Sequence, residues 1–325
     1  MIKIGIIGEG ADVDIYIEHL ISIEAYQLVG FYGVDTKKSN HYAKKYISTA
    51  FYSAKEISSV ADCFIVFSDD VNYVELSKQL LRLGKHLFCD KALTASLDDY
   101  TELMNIAKEA NAKYVVGLVD RFNPAFQCIK SNAENPLFIE TSRLIHYKSN
   151  EQNSSVIVDL MFHDIDLILA LAKSEIKRIS ATGVKVLSDS ADIANARLEF
   201  SNGCVANLTV SRVAMIQKHT LKLYQRASYF DVDLMEQQCD KLYFKQHDTD
   251  SSSREIIAAI AMGESGVIAM EKIAIQAQLP IRQSLEHFNS CILGQCESIL
   301  SAHEGYLALD ASLKVLKKVN TFGDE

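Results

Sequence analysis

The segment VDLMFHDIDLILA, residues 158–170, carries a carboxylate and an imidazole that could take part in proton transfer. Its apolar residues recur with the spacing of a core helix, and this spacing puts Asp159 and His163 one turn apart, on one face. A carboxylate in that position can orient the imidazole and raise its proton affinity, which suits a general base. The segment alone is equally compatible with a core helix whose acidic residues simply face water.

The turn GEGADV, residues 8–13, could hold a phosphate group. Gly8 and Gly10 are the first two glycines of a G-x-G-x-x-G dinucleotide loop, and they lie between a predicted strand and a predicted helix, as that motif requires. Valine replaces the third glycine, and the two acids of the turn add negative charge where a pyrophosphate would lie. The turn therefore predicts dinucleotide binding, with a loop kept only for strand-helix packing as the alternative.

The end of the second predicted strand bears on which dinucleotide is bound. An acid that binds the ribose hydroxyls is expected there, but the sequence has Gly33 at that place and Asp35 shortly after it. Lys37 and Lys38 follow and could accommodate a 2′-phosphate. This segment is therefore compatible with both NAD and NADP.

These residues lie in a region where short apolar strands alternate with helical spacing. The predicted strands are 2–7, 27–32, 63–67, 86–89 and 114–118. The predicted helices start near 13, pass through 43 and 46, and cover 71–84 and 96–110. Such repeated alternation is typical of a doubly wound, mostly parallel α/β sheet that binds ligands beyond the carboxyl ends of its strands.

The second half of the chain predicts a largely antiparallel sheet. Its predicted strands are 137–147, 176–187, 193–200, 203–211, 218–224, 228–234 and 240–245. The segment DTDSSSREII, residues 248–257, is typical of an exposed loop, and two final helices are predicted at 281–298 and 303–319. No flexible linker separates the halves, so we expect two compactly joined domains, 1–121 and 122–325.

Composition limits the class of protein. The chain has 325 residues, of which 48% are apolar and 23% charged, enough for a sizeable core. The net charge of −9 and the lack of a basic run argue against nucleic-acid and anionic-membrane partners. No apolar stretch is long enough to span a bilayer and the N-terminus begins a strand, so we expect a cytoplasmic protein. The seven cysteines show no C-x-x-C pair and predict neither a disulfide framework nor a metal site.

Four segments, in order, resemble the family of glucose-fructose oxidoreductase, inositol dehydrogenase and MocA proteins (Gfo/Idh/MocA), whose members use NAD or NADP. They are GKHLFCDKALTASLDDY (84–100), VVGLVDRFNPAF (115–126), VDLMFHDIDLILA (158–170) and DIANARLEFSNGCVANLTVSRV (192–213). The last is most similar to the branch of UDP-N-acetylglucosamine 3-dehydrogenase-like proteins. The resemblance implies an N-terminal Rossmann dinucleotide-binding domain and a C-terminal α+β domain for substrate binding and oligomerisation, with the last helices packed back on the first domain.

By position, the resemblance implies that Lys91, His163 and Asp159 are catalytic. In such an enzyme the histidine accepts the alcohol proton and the lysine stabilises charge on the oxygen, while a hydride moves to the nicotinamide. The implied cofactor contacts are Gly8, Gly10, Ala11, Asp12, Val13, Gly33, Asp35, Lys37, Ser68, Asp69, Tyr73, Asp90 and Lys91. The implied substrate contacts are Lys91, Arg121, Asn123, Arg143, Tyr147, Asp159 and His163. Asp164 and Asp166 also match, and a capping or salt-bridging role is at least as plausible for them.

The chain departs from the family pattern in its cofactor half. The family's Glu-Lys-Pro is Asp-Lys-Ala at 90–92, and alanine does not fix φ as proline does. The family's Thr-Pro is Ser-Asp at 68–69, and Tyr73 stands where a histidine is common. These changes support a second hypothesis, a non-catalytic or weakly active protein that binds a sugar nucleotide, or a regulatory protein on a dehydrogenase scaffold.

The branch also suggests a substrate and an assembly. It favours a UDP-N-acetylhexosamine, and arginines such as Arg143 suit bidentate contact with phosphate. His219 and Lys222 stand where relatives of this branch place arginines, so a free cyclitol or aldose is a further candidate. The resemblance favours NAD over NADP, implies no metal ion, and implies a homodimer or homotetramer that pairs through the C-terminal sheet.

Overall fold

The computed structural model describes residues 1–10, 12–67, 71–92, 94, 96–147, 155–246, 255–262, 264–296 and 301–320. The chain divides into two compact units. Unit 1 comprises Met1–Phe122 and Leu279–Asp310, and unit 2 comprises Asn123–Gln278 and Ala311–Glu325. No helix in the described ranges is both long enough and apolar enough to cross a lipid bilayer.

A parallel sheet forms the centre of unit 1, and in the described residues its strand order is β3-β2-β1-β4-β5-β6. The strands are β1 (Ile2–Gly8), β2 (Tyr26–Tyr32), β3 (Thr49–Ala50), β4 (Cys63–Phe67), β5 (His86–Cys89) and β6 (Tyr114–Val116). β4 is buried along its whole length, as expected for a parallel strand covered on both faces. The predicted doubly wound fold is confirmed. Its strand order changes direction between β1 and β4, where such sheets bind ligands.

Five helices alternate with these strands in the described residues of unit 1. They are α1 (Val13–Ile21), α2 (Thr36–Lys45), α3 (Ala54–Val60), α4 (Val71–Arg82) and α5 (Leu97–Glu109). The sequence did not predict β3 and α3, because two and seven residues are too few for a clear periodicity. Lys78 of α4 is buried and pairs with Asp99 and Glu102 of α5 at 2.8 and 2.7 Å, which ties these two helices together.

A second, mostly antiparallel sheet forms the centre of unit 2, as predicted. In the described residues its order is β14-β15-β13-β12-β11-β7-β10-β9-β8, with β7 and β10 paired in parallel. The strands are β7 (Phe138–Leu144), β8 (Ile176–Val184), β9 (Ile193–Phe200), β10 (Val205–Ser211), β11 (Lys218–Gln225), β12 (Ser228–Asp233), β13 (Gln238–Gln246), β14 (Glu255–Met262) and β15 (Glu264–Ile273). Buried and exposed residues alternate along β9, which is typical of a sheet covered on one face.

One loop prediction in this sheet was wrong. The predicted loop 248–257 lies outside the described residues up to 254, but its last three residues begin β14. β14 pairs with β15 in an antiparallel ladder. The serine-rich sequence before β14 suggested a loop, whereas the later strand supplies the hydrogen bonds that make these residues a strand.

Two helices of unit 2 pack against this sheet. α6 (Pro124–Asn132) is capped by the side chain of Asn123 and packs against β12 and β13. α7 (Phe162–Ala172) follows a π-helical segment, Ile157–Met161, and packs against β7 and β10. α7 is apolar almost all round, which is the pattern of a helix buried in a core.

The last two helices are α8 (Pro280–Ile292) and α9 (Ala302–Asn320). α8 belongs to unit 1, where it packs against α1 and a 3₁₀ segment, Val119–Phe122. The Tyr26 hydroxyl donates a 2.8 Å hydrogen bond to the Leu285 carbonyl, which fixes α8 beside the parallel sheet. The prediction that this helix continues beyond Ile292 was wrong, because Gly294 adopts a left-handed φ of +69° that ends it.

Candidate active site

The glycine turn lies at the carboxyl end of β1, in the middle of the parallel sheet of unit 1. Gly8 has a φ of +86°, a left-handed conformation that glycine adopts without strain. α1 begins at Val13, and the Asp12 side chain makes no capping hydrogen bond to its first turn. The backbone N–H groups of this turn therefore suit an anion. Ala11, another predicted contact, lies outside the described residues.

Glu9, the variable residue of the glycine turn, makes its contacts at the end of β2. Its Oε1 accepts a 3.0 Å hydrogen bond from the Asp35 backbone N–H, and its other carboxylate oxygen pairs with the Lys38 ammonium. The hydrogen bond to Glu9 raises the pKa of Lys38. Gly33 lies close by, since a Cβ there would be 3.5 Å from Glu9 Oε1. The carboxylate thus lies where a ribose-binding acid ends β2 in other dinucleotide folds, rather than beside the pyrophosphate as expected.

Two predicted cofactor contacts, Asp35 and Tyr73, order the loop after β2. Asp35 caps α2, and its carboxylate accepts hydrogen bonds from the backbone N–H groups of Lys37 at 2.8 Å and Lys38 at 3.3 Å. The buried Tyr73 hydroxyl accepts a 3.0 Å hydrogen bond from the Val34 N–H. These bonds hold the loop in place beside the glycine turn. Two further predicted contacts, at positions 68 and 69, lie outside the described residues.

Asp90 and Lys91 directly follow β5. The Asp90 N–H donates to the Val66 carbonyl at 3.1 Å, which extends the ladder between β4 and β5 by one residue. Burial raises the pKa of Asp90 to about 6, and the negative charge of Asp12 acts in the same direction, whereas a hydrogen bond with Tyr16 and the charge of Lys91 oppose it. A carboxyl group that titrates just below neutral pH therefore precedes the predicted catalytic lysine.

We expect Asp90 to make the protein less stable as the pH rises from about 4 to about 6. In this window the folded state keeps the carboxyl protonated while the unfolded state ionises it, so rising pH favours unfolding. The slope is at most about 1.4 kcal/mol per pH unit. Urea unfolding at several pH values should show that Asp90→Asn removes this slope and that Glu24→Gln, in an exposed turn of the same unit, keeps it. An unchanged slope in Asp90→Asn would contradict the raised pKa.

The described residues of unit 1 fit a dinucleotide. The first turn of α1 offers backbone N–H groups for a pyrophosphate, and Glu9 offers a carboxylate for ribose hydroxyls. Asp12 is the feature that opposes an anion at this position. Its side chain is exposed to solvent, where salt screens its charge.

In unit 2, Asp159 lies in the π-helical segment and His163 in the first turn of α7. Both are partly exposed, while the ring of the buried Phe162 contacts the His163 ring edge-on, with 5.3 Å between the centroids. The sequence predicted one regular helix over 158–170. This prediction was wrong at its start, because Ile157–Met161 form a π turn, which contains one residue more than an α-helical turn. Such turns are frequent at functional sites.

The next residue, Asp164, is a fully buried carboxylate that makes the salt bridge considered for it. Arg143 of β7 donates to it from Nε and Nη2 at 3.1 to 3.3 Å, and His219 Nε2 of β11 lies 2.8 Å from its Oδ1. Burial by itself raises the pKa of Asp164, but the Arg143 charge and the contact with His219 outweigh it and hold the pKa below its ordinary value. Asp164 thus fixes Arg143, whose side chain remains 16% exposed.

Arg121 and Asn123, both predicted substrate contacts, are buried and make polar contacts within their own units. Arg121 Nη1 donates to Glu304 Oε1 at 3.3 Å in unit 1. Asn123 caps α6 and donates from Nδ2 to the Leu234 carbonyl at 2.7 Å in unit 2. These contacts support structural roles, and a substrate role stays a prediction. Tyr147 is partly buried just beyond β7.

Sequence reasoning missed two features of these sites, namely where the Glu9 charge lies and the grouping of Arg143, Asp164 and His219. The group forms because His219 of β11 lies directly opposite Arg143 of β7 in the antiparallel ladder. That register depends on which strands are neighbours, and β11 follows β7 only after three other strands. The sequence alone therefore did not supply it.

Two family models match the chain. The model of the Gfo/Idh/MocA oxidoreductase family with an NAD-binding Rossmann fold matches residues 2–118, and the Gfo/Idh/MocA C-terminal domain matches residues 129–227. Together they cover more than half of the chain: the first match spans the parallel sheet, and the second spans β7 to β11 of the antiparallel sheet.

Named relatives agree with these matches. A UDP-N-acetylglucosamine 3-dehydrogenase from Acidithiobacillus ferrooxidans is 26% identical over 234 residues, which are 72% of this chain and 74% of that protein. A glucose-6-phosphate 3-dehydrogenase from Bacillus subtilis is 24% identical over 241 residues, 66% of this chain and 69% of that protein. A solved structure of the Acidithiobacillus enzyme shares the fold, with a TM-score of 0.86 at 23% identity over 99% of this chain and 98% of that chain. The chain therefore belongs to the Gfo/Idh/MocA family of NAD(P)-dependent oxidoreductases.

Proposed function

We propose that this oxidoreductase uses NAD to oxidise a secondary hydroxyl of a sugar nucleotide, with a UDP-N-acetylhexosamine as the favoured substrate. The observation that carries the proposal is the arrangement at the carboxyl edge of the parallel sheet, where the glycine turn ends β1 and Asp90-Lys91 follows β5. The 26% identity to a UDP-N-acetylglucosamine 3-dehydrogenase supports the substrate class.

Three residues have the chemistry for proton and charge handling in this reaction. When bound, the nicotinamide supplies the hydride acceptor. His163 takes the proton of the hydroxyl group, and Asp159 orients its imidazole. The Lys91 ammonium stabilises the negative charge that grows on the oxygen. This division of roles requires that all three residues act on one bound substrate.

Arg143 and Tyr147 are the proposed contacts for the substrate's more distant groups. Arg143 is charged and partly exposed, and the buried Asp164 holds it in a fixed orientation. A guanidinium held in this way suits the bidentate recognition of a diphosphate. We retain Arg121 and Asn123 as secondary candidates, since each is only 4% exposed and therefore less accessible to a ligand than Arg143.

A direct test follows the absorbance of NADH or NADPH while the protein is incubated with a panel of UDP-sugars, free aldoses and inositols. We expect turnover with a UDP-N-acetylhexosamine and much slower turnover with sugars that lack the nucleotide. Turnover with an inositol or a free aldose only would overturn the substrate assignment. Binding of a UDP-sugar without turnover under any cofactor condition would instead support the non-catalytic hypothesis.

The preference for NAD is supported by the position of Glu9. Its carboxylate lies at the end of β2, where it can accept hydrogen bonds from ribose hydroxyls and repel a 2′-phosphate. Lys38, a cation that could bind that phosphate, is paired with Glu9. The same acid therefore disfavours NADP by its own charge and by engaging the neighbouring ammonium.

Replacing Glu9 by glutamine should shift the cofactor preference toward NADP. The change keeps a hydrogen-bond acceptor for the Asp35 N–H, removes the negative charge and releases Lys38. We expect the ratio of NADP affinity to NAD affinity to rise about tenfold, which corresponds to about 1.4 kcal/mol. Calorimetric titration with both cofactors measures it. Glu18→Gln, on the exposed face of α1, is the control, and an equal ratio in both variants would contradict the prediction.

We also infer that the protein forms a cytoplasmic homodimer or homotetramer through the sheet of unit 2. Aromatic rings of Phe138, Tyr224 and Tyr229 stand side by side across β7, β11 and β12, with centroids 5.7 and 4.5 Å apart. Tyr224 remains 37% exposed at the centre of this row. Aromatic residues in such a position are enriched at interfaces. Light scattering during gel filtration should give a dimer or tetramer mass, and a monomer at micromolar concentration would contradict the inference.

A further inference from the structure

Three side chains with metal-binding chemistry meet at the end of α8 in unit 1. The Sγ atoms of Cys291 and Cys296 are 3.4 Å apart. Cys291 Sγ lies 3.5 Å from His287 Nε2, and Cys296 Sγ lies 3.7 Å from His287 Nδ1. None of these residues belongs to the cofactor or substrate positions proposed above.

The local sequence explains how the group forms. His287 and Cys291 stand at i and i+4 on α8, so they lie on one face of the helix. Gly294 then reverses the chain: its N–H donates to the Cys291 carbonyl at 3.1 Å, and the Gln295 N–H donates to the Ser290 carbonyl at 2.9 Å. This is the hydrogen-bond pattern of a Schellman helix end, which needs the left-handed φ that Gly294 adopts.

The reversal returns Cys296 to the last turn of α8, beside the two helical residues. If α8 continued as a helix past Ile292, Cys296 would instead lie further along the helix axis. The motif H-x₃-C-x₄-C lacks a C-x-x-C spacing. The chain reversal nevertheless brings its two thiols and its imidazole together. The sequence prediction that the cysteines form no metal site depended on the absence of a C-x-x-C pair.

The distances agree with one tetrahedral metal ion. Zinc bound to sulfur at about 2.3 Å and to nitrogen at about 2.0 to 2.1 Å places two sulfurs about 3.8 Å apart, and a sulfur and a nitrogen about 3.6 Å apart. Here the two sulfurs are 3.4 Å apart. The sulfur–nitrogen distances of 3.5 and 3.7 Å run to different nitrogens of the His287 ring, and only one of these nitrogens binds a given ion. One ring nitrogen and both sulfurs lie within 4.8 Å of one another, and rotations of the side chains bring these three atoms to the bond lengths of zinc.

We propose that His287, Cys291 and Cys296 bind one Zn²⁺ ion that closes the end of α8. Two thiolates and an imidazole are ligands that zinc prefers, whereas magnesium and calcium prefer oxygen. Cys291 is fully buried and its two partners are partly exposed, so the ion can enter from the side of Cys296. Each thiol loses its proton when it binds, and zinc binding therefore weakens as the pH falls. Water supplies the fourth ligand.

The position of the site gives the ion a structural consequence. The His287 ring contacts Phe122, with 5.3 Å between the ring centroids, and Phe122 ends the 3₁₀ segment on which α8 packs. An ion at His287 thus connects the helix end, the Gly294 turn and this segment of unit 1. Zinc that binds the folded state in preference to the unfolded state raises the unfolding temperature.

Cobalt titration tests the proposal without any need for enzyme activity. The full-length protein is treated with a chelator and kept reduced with a phosphine, then titrated with Co²⁺. We expect one equivalent to produce the sulfur-to-cobalt charge-transfer band and the strong d–d bands of tetrahedral cobalt, and zinc to abolish both. Zinc should also raise the unfolding temperature of the chelator-treated protein.

Variants assign the ligands. Cys296→Ser removes a partly exposed thiol and should lower zinc affinity by about 100-fold or more, because one of three protein ligands is lost. Cys128→Ser, which changes a partly buried thiol in unit 2, should leave the titration unchanged. Circular dichroism establishes that both variants are folded.

Three outcomes would overturn the proposal. They are a titration of reduced protein that gives no tetrahedral cobalt bands, bands that persist undiminished in Cys296→Ser, and a Cys291–Cys296 disulfide that forms in place of metal binding under the same reducing conditions. Failure of the dehydrogenase assay does not affect the cobalt titration, so the two proposals are tested separately.

Discussion

Replacing His163 by alanine should lower kcat by about 10² to 10⁴-fold and leave the dissociation constant of NADH nearly unchanged. A general base acts on the transition state, and His163 is assigned no role in holding the cofactor. Steady-state assays with the best UDP-sugar give kcat, and a fluorescence titration with NADH gives the dissociation constant. The separation of these two quantities distinguishes lost chemistry from lost folding.

Two further variants sharpen this test. His41→Ala removes an exposed imidazole from α2 and should leave kcat unchanged. Lys91→Met should also lower kcat, and the double variant with His163→Ala should lose much less than the product of the two single losses, because residues that act as one unit are not additive. Full multiplicative loss would show that Lys91 and His163 do not act on the same step. An undiminished rate in His163→Ala would remove the histidine from the mechanism.

Replacing Asp164 by asparagine should lower the free energy of unfolding by about 3 to 5 kcal/mol. The carboxylate is fully buried and compensates the positive charge of Arg143, so the isosteric amide leaves a guanidinium that has lost its counter-charge. Urea unfolding at neutral pH measures the loss. Because Arg143 also loses its fixed orientation, KM for a UDP-sugar should rise in the same variant.

The control for this prediction is the exposed pair of Arg197 and Glu199, 3.6 Å apart on β9 of the same unit. Glu199→Gln should cost at most about 1 kcal/mol, since water and salt screen an exposed pair. The lowered pKa of Asp164 also determines how its contribution to stability changes with pH. Its stabilising contribution is present above the ordinary carboxyl pKa and is lost as the pH falls below it. Equal losses in the two variants would show that burial does not set the strength of the Asp164 contact.

The sequence predicted those parts of the fold that have a clear local periodicity. Apart from β3 and α3, the strand and helix alternation of the first 121 residues was predicted close to its observed bounds, and so were the six strands from β8 to β13, but β15 was not predicted. The same reasoning failed where one later contact decides the local structure. β14 exists because β15 pairs with it, and α8 ends at Ile292 because Gly294 turns left-handed and closes a Schellman motif.

By itself, the sequence determined the fold class, the glycine turn before α1 and the family, because the periodic spacing of apolar residues and the ordered motifs can be recognised from residues that are neighbours in the chain. Only the tertiary structure decided where charges lie. Glu9 meets Lys38 across 29 positions, and Asp164 meets Arg143 and His219 across 21 and 55 positions. Cys296 faces His287 only because the chain reverses at Gly294. Such contacts depend on strand order, register and chain reversal, and no local pattern in the sequence encodes the distance between two side chains that the fold brings together.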